Sequence, residues 1–132
     1  MTKSTKPSNN IDFLMKKLIE ETNNQKIKWK PGLLHHISAI IKHNEEKGRS
    51  GTVKELYFTK RGDFYFMIDK EIQEKNSNMI IIYIMDSNLQ VQLEYNEKLL
   101  AEKTLIDRLF MVARRDGLDE GHIIQNILDS IE

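Results

Sequence analysis

The stretch FYFMIDKEIQEKNSNMIIIYIMDSNLQVQLEY, residues 64–95, decides the fold of this chain. Its apolar residues recur with a period of two, which is typical of β-strands because successive side chains point to opposite faces. The same period begins upstream at Leu56 and Phe58. Within the quoted stretch the alternating positions are Phe64, Phe66, Ile68, Ile80, Ile82, Ile84, Leu89, Val91, Leu93 and Tyr95. The pattern therefore predicts four strands.

Short polar segments separate the four strands, at residues 60–63, 75–78 and 86–88. Their Gly, Asn, Asp and Ser residues favour tight turns, so neighbouring strands should pair antiparallel as a meander. The intervening residues Tyr65, Met67, Ile81 and Tyr83 are apolar too, which predicts cover on both faces of the central strands. In the last strand Gln90, Gln92 and Glu94 interleave with the apolar set, so one face there should meet water.

Helical periods flank the sheet region on both sides. Asn10 is the expected N-cap of a first helix, whose apolar stripe is Ile11, Leu14, Met15, Leu18 and Ile19. Residues 33–47 and 104–115 predict two more helices, and a last short helix uses Ile123, Ile124, Ile127, Leu128 and Ile131. We expect the first and third helices to cover one face and the second helix to cover the other. The last helix either docks on the sheet, the default, or binds another subunit.

These elements predict an α+β protein, a four-stranded antiparallel β-meander flanked by amphipathic helices. Its 132 residues suit one domain. Residues 1–10 lack a hydrophobic period and predict a disordered tail, which leaves 11–132 as the domain. Residues 26–30 alternate basic and apolar side chains before Pro31–Gly32, so they could form an additional short strand.

The absence of cysteine excludes disulfides, thiolate metal sites and cysteine nucleophiles. The first ten residues have no apolar signal segment, and the longest apolar run, residues 79–85, is too short to span a bilayer. We expect a cytoplasmic protein without a membrane, metal or cofactor requirement. The abundance of Lys, Ile and Asn indicates an AT-rich genome.

Charge is distributed unevenly along the chain although its net charge is zero. Residues 1–62 hold 13 Lys and Arg against 6 Asp and Glu, whereas residues 63–132 hold 7 against 14. The halves therefore carry +7 and −7. Opposite charges of this size would suit a complementary interface between subunits or with a protein partner.

The chain resembles a loose group of short, uncharacterised bacterial and phage α+β proteins. The shared pattern is an amphipathic helix, a basic segment ending in Trp29, a β-meander and a helix ending in Ala113-Arg114-Arg115. It covers about half of the chain. The resemblance implies a fold and an origin in a bacterium or its mobile elements, and it carries over no functional residues.

The basic aromatic segment of residues 26–30 is the best candidate for binding an anion. Trp29 could stack on a base while neighbouring cations neutralise phosphates. The candidate ligand-binding residues are Lys26, Lys28, Trp29, Lys30, Arg49, Lys60 and Arg61. The structural alternative is that Trp29 anchors the core and the lysines keep a strand edge soluble.

Three histidines, His35, His36 and His43, lie on the predicted second helix and raise the alternative of a small metal-dependent hydrolase. Their spacing does not match the three- or four-residue intervals of ligands on one helix. Phosphate-loop, zinc-protease and serine-hydrolase motifs are absent from the sequence. We therefore expect a non-enzymatic protein that acts through a protein partner or self-association, with single-stranded nucleic acid or a small nucleotide as the alternative ligand.

Overall fold

The computed structural model describes residues 7–49, 51–73, 77–100, 102–118 and 120–131. For residues 7–9, 120–123, 125 and 126 it describes the backbone alone. Over these ranges the chain is an α+β protein with one antiparallel sheet. In chain order the elements are α1 Pro7–Asn23, β1 Lys30–Pro31, α2 Leu34–Glu46, β2 Thr52–Arg61, β3 Phe64–Ile72, β4 Asn78–Met85, β5 Val91–Asn96, a 3₁₀ turn Glu97–Leu99, α3 Thr104–Gly117 and α4 Glu120–Ile131.

The sheet is a meander in which the spatial order β1-β2-β3-β4-β5 repeats the chain order. Its register aligns Tyr57 with Ile68, Ile68 with Ile82, and Ile82 with Tyr95. The β2–β3 turn contains Gly62 at φ +63°, a left-handed conformation that glycine adopts without steric cost. The predicted antiparallel meander is therefore confirmed.

The sheet has five strands, so the prediction of four was wrong. Lys30 and Pro31 form β1 and pair with Phe58 and Tyr57 of β2. A two-residue strand is too short to show a hydrophobic period, and only Lys30 of the suggested strand at residues 26–30 belongs to it. Proline lacks an N–H donor, which is tolerated at the edge of a sheet, where β1 lies.

One face of the sheet is covered by α3, and α1 packs in turn on α3. The core on this side combines Ile11, Met15, Leu18, Ile19, Ile27, Trp29, Tyr57, Phe66, Ile68, Ile82, Ile84, Leu100, Leu105, Ile106, Leu109, Phe110 and Ala113. The predicted cover by the first and third helices is confirmed. Phe64, one of the alternating apolar positions from which the sheet was predicted, lies outside this core, because it starts β3 beside the hairpin turn and is 45% exposed.

The other face of the sheet is covered by α2, as predicted. Ile40 is fully buried there against a second core made of Leu56, Met67, Ile81, Tyr83 and Met85. The central strands therefore bury both faces, which explains the continuous apolar runs of residues 64–68 in β3 and 79–85 in β4.

The two ends of the chain differ from expectation. Helix α1 begins at Pro7, so the predicted N-cap Asn10 lies inside the helix; proline is favoured in the first helical turn because its missing N–H is not needed there. The rest of the predicted tail, residues 1–6, lies outside the described residues. At the other end, α4 was expected to dock on the sheet, but its described apolar side chains Ile124, Ile127, Leu128 and Ile131 are 47–74% exposed. None of the helices in the described ranges is long and apolar enough to cross a bilayer.

Candidate functional site

Trp29 is a core residue and cannot stack on a ligand. Its side chain is fully buried, and its indole Nε1–H donates to Thr22 Oγ1 over 2.9 Å. The Thr22 hydroxyl in turn donates to the carbonyl of Leu18, and the backbone N–H of Trp29 donates to Asp116 Oδ2 over 2.6 Å. Trp29 therefore joins α1 and α3 to the segment that leads into β1.

The lysines around Trp29 point away from the core and border a shallow groove. The groove has a volume of about 350 Å³ and is lined by Lys26, Ile27, Lys28, Lys30, Phe58, Thr59, Lys60 and Arg61. Five of the seven residues proposed from the sequence thus lie together at the β1 edge. Arg61 is held by Glu21 through a 2.8 Å ion pair, and the ammonium of Lys60 lies 5.5 Å from the Tyr65 ring centre. We call this the basic groove.

Arg49 is separated from the basic groove and belongs to a half-buried ion cluster beside β5. Its guanidinium binds the Glu94 carboxylate in bidentate fashion, with Nη2 2.6 Å from Oε1, while His43 Nε2 lies 2.8 Å from the same oxygen. Burial would raise the pKa of Glu94, but the hydrogen bonds from Arg49 and His43 outweigh burial and lower it. The expected water-facing position of Glu94 is thereby replaced by an ion pair against α2.

The α2 face also encloses two carboxyl groups, Asp69 and Glu71, at alternate positions of β3. Glu71 accepts hydrogen bonds from the Tyr83 hydroxyl over 2.6 Å and from Gln73 Nε2 over 3.1 Å, with Asn44 Nδ2 at 3.5 Å. Neither oxygen of Asp69 meets a donor within the described residues. Burial, followed by the neighbouring Glu71, raises the pKa of Asp69 well above its usual range.

This carboxyl pair is sealed from solvent. Asp69, Glu71 and Tyr83 are all at most 1% exposed. Two ionised carboxylates cannot hydrogen-bond to each other, so a bond between Asp69 and Glu71 requires a shared proton, and the raised pKa of Asp69 favours one. The pair can therefore share a proton inside the core, but it cannot meet a dissolved substrate. The sequence signal for this carboxyl pair is the presence of two acids, Asp69 and Glu71, at alternate positions of a largely apolar strand. The sequence analysis did not single out these two residues.

The histidines of α2 have three different environments. His36 is buried with its ring 4.0 Å from that of Phe58, and its Nδ1 accepts the Leu33 N–H over 3.0 Å. Burial and then His35 lower the pKa of His36. His35 lines an open polar pocket together with His43. Among the described residues no group of three His, Asp or Glu side chains is placed to hold a metal ion.

Helix α4 displays an apolar stripe to solvent. Ile124, Ile127, Leu128 and Ile131 are 49%, 53%, 47% and 74% exposed, and they follow the i, i+3, i+4, i+7 spacing of one helix face. Leu118, just before α4, is 41% exposed. We call these four α4 residues the α4 stripe.

A wide groove runs along α3 and is also lined by residues of α1 and of strands β2, β3 and β4. Its volume is about 940 Å³, and its lining is Ile19, Asn23, Glu55, Lys70, Ile80, Asp107, Arg108, Phe110, Met111, Val112, Arg114 and Arg115. Apolar side chains form its floor, with Met111 68% exposed, and four cations against two carboxylates form its rim. We call this the α3 groove.

Comparison of the chain with known proteins found no matching family model, no matching curated protein and no matching solved structure.

Proposed function

We propose that this domain is a non-enzymatic protein-interaction module that associates with a second copy of itself through the α4 stripe. The observation that carries the proposal is the exposure of four aliphatic side chains on one face of α4. A stripe of this kind normally faces a protein core, because burial of one aliphatic side chain is worth about 1.5–3 kcal/mol.

The ion pairs within the chain indicate which kind of partner surface is favoured. Lys16 with Glu102, and Arg49 with Glu94, join cations of the basic half to acids of the acidic half within one chain. Part of the +7 and −7 imbalance is therefore neutralised internally. The internal neutralisation favours an apolar interface with a charged rim over an interface held together by charge alone.

Sedimentation velocity and light scattering over a concentration series test the proposal. The mass of the wild-type chain should rise from 15.5 kDa towards twice that value. Ile127→Asp should weaken association at least tenfold, since a carboxylate at the stripe would have to be desolvated. Phe13→Asp is the matched control, because Phe13 is an equally exposed apolar residue on α1.

Two outcomes would contradict this function. One is a wild-type chain that keeps a mass of 15.5 kDa at its highest soluble concentration. The other is an Ile127→Asp variant that associates as tightly as the Phe13→Asp control. Circular dichroism of each variant shows whether it remains folded.

A second candidate function is binding of a phosphate-bearing ligand, single-stranded nucleic acid or a small nucleotide, in the basic groove. It is supported by the convergence of Lys26, Lys28, Lys30 and Lys60 on one concave surface. Fluorescence anisotropy of a labelled oligothymidine should give a salt-dependent affinity that Lys28→Gln with Lys60→Gln weakens and Lys98→Gln preserves. Equal affinities of these variants for the oligothymidine would contradict this candidate function.

A further inference from the structure

The segment of the sequence that carries the α4 stripe is acidic. From the sequence, residues 119–132 contain Asp119, Glu120, Asp129 and Glu132 and no Lys or Arg. A direct contact between two α4 helices would bring like charges together, so the favoured receiving surface is apolar with a cationic border.

The α3 groove has these properties. Its floor offers Met111, with Val112 and Ile80 half-buried beside it. Arg108 and Arg115 are exposed at its rim. Arg115 donates one hydrogen bond to Asn23 Oδ1 over 2.8 Å. Lys70 lies 5.3 Å from the centre of the Phe110 ring, at the sheet side of the groove.

Building on the proposed function, we infer that α4 of one copy binds in the α3 groove of a second copy, reciprocally, in a twofold dimer. The helix supplies an aliphatic stripe on an acidic segment, and the groove supplies apolar side chains bordered by arginines. Two identical contacts double the buried area, which brings it towards the approximately 800 Å² per partner of stable interfaces. The arrangement uses only surfaces that each chain already carries.

The alternative occupant is the chain's own α4. Helix α4 follows α3 closely in the chain, with bounds Thr104–Gly117 and Glu120–Ile131, and helices joined this closely can pack antiparallel. Own-groove docking would hide the stripe and leave a monomer, so a monomeric wild-type chain would overturn both this inference and the proposed function.

Charge reversal followed by mixing tests the inference. The groove variant is Arg108→Glu with Arg115→Glu, and the helix variant is Glu120→Lys with Asp129→Lys. Each alone should associate at least tenfold more weakly than the wild type. Mixed in equal amounts, they should form a heterodimer, because one contact is then wild-type and the other pairs an acidic groove with a basic helix.

Lys98→Glu with Lys103→Glu is the control for net charge, since both lysines are exposed and lie outside the α3 groove. A groove variant that associates like this control would overturn the inference and leave the proposed function intact, provided that Ile127→Asp still dissociates. A helix variant that associates more tightly than the wild type would show an α4–α4 contact instead. Melting temperatures of all variants report whether the fold is preserved.

Discussion

At Asp69, a fully buried carboxyl group faces a second carboxyl group, and no donor of the described residues reaches its oxygens. An ionised carboxylate without donors is costly in an apolar interior. Burial and then the neighbouring Glu71 raise the pKa of Asp69 well above its usual range, which favours its protonated form in the folded state. The protonated group can donate to Glu71, which links two acids in the core.

Asp69→Asn should stabilise the protein at pH 7 by on the order of 1 kcal/mol, because the amide supplies a donor for Glu71 and cannot ionise. The measurement is urea unfolding at several pH values, with exposed Asp63→Asn as the control. Since the pKa of Asp69 is higher in the folded than in the unfolded state, the contribution of Asp69 to stability falls as pH rises above about 4. The gain should thus widen from pH 4 to 7, and a gain of equal size at both pH values would contradict the assignment.

Thr22 is the hydrogen-bond acceptor of the Trp29 indole in the core. Thr22→Val keeps the shape of the side chain but leaves a buried N–H unpaired, so the free energy of unfolding should fall by about 1–3 kcal/mol. Thr52→Val, at an exposed position of β2, should change it by less than about 0.5 kcal/mol. Urea denaturation compares the two variants, and equal small effects would argue against the role of this bond.

Among the elements, α3 lies close to the sheet at its C-terminal end. A Cβ added at Gly117 would lie 2.7 Å from Cδ1 of Tyr57, inside the normal contact distance. Gly117→Ala usually favours a helix by about 1 kcal/mol, but here the methyl group must displace a packed ring. We therefore expect a lower melting temperature by differential scanning calorimetry. An unchanged or higher melting temperature would show that Tyr57 moves aside freely.

The long elements were predictable from the sequence because their periods are long enough to be distinctive. The runs of β3 and β4 and the stripes of α1, α2 and α3 gave both the meander and the covered faces. β1 was missed because two residues contain no period. Docking of α4 was expected from its apolar content, which cannot distinguish a helix that packs on its own sheet from one that packs elsewhere.

The candidate sites show the same limit. The sequence grouped Lys26, Lys28, Lys30, Lys60 and Arg61 correctly in space, because a turn joins β2 to β3 and the β1 segment returns beside β2. It could not tell whether Trp29 points inward. It also could not place Arg49, whose partner Glu94 is 45 residues away in sequence.

At the scale of the whole molecule, the Glu94 cluster joins the basic half of the chain to the acidic half. Glu94→Gln should lower the free energy of unfolding at pH 7 by about 1–3 kcal/mol, because it leaves the half-buried Arg49 without its counter-ion. The pKa of Glu94 is lower in the folded state, so its contribution is present above about pH 4.5 and is lost as pH falls through the folded pKa. Chemical unfolding at pH 7 and pH 3 measures the difference, which should shrink at pH 3. A difference that persists there would assign the effect to packing.

The fluorescence of Trp29 reports on the core of the protein, because Trp29 is buried and the chain has no other tryptophan. Its emission should be blue-shifted in the native state and should move to longer wavelength when α1 and α3 separate from the β1 segment. Occupation of the surface grooves should leave that emission nearly unchanged. A single spectrum thus distinguishes a variant that has lost its interior order from one that has lost only an external contact.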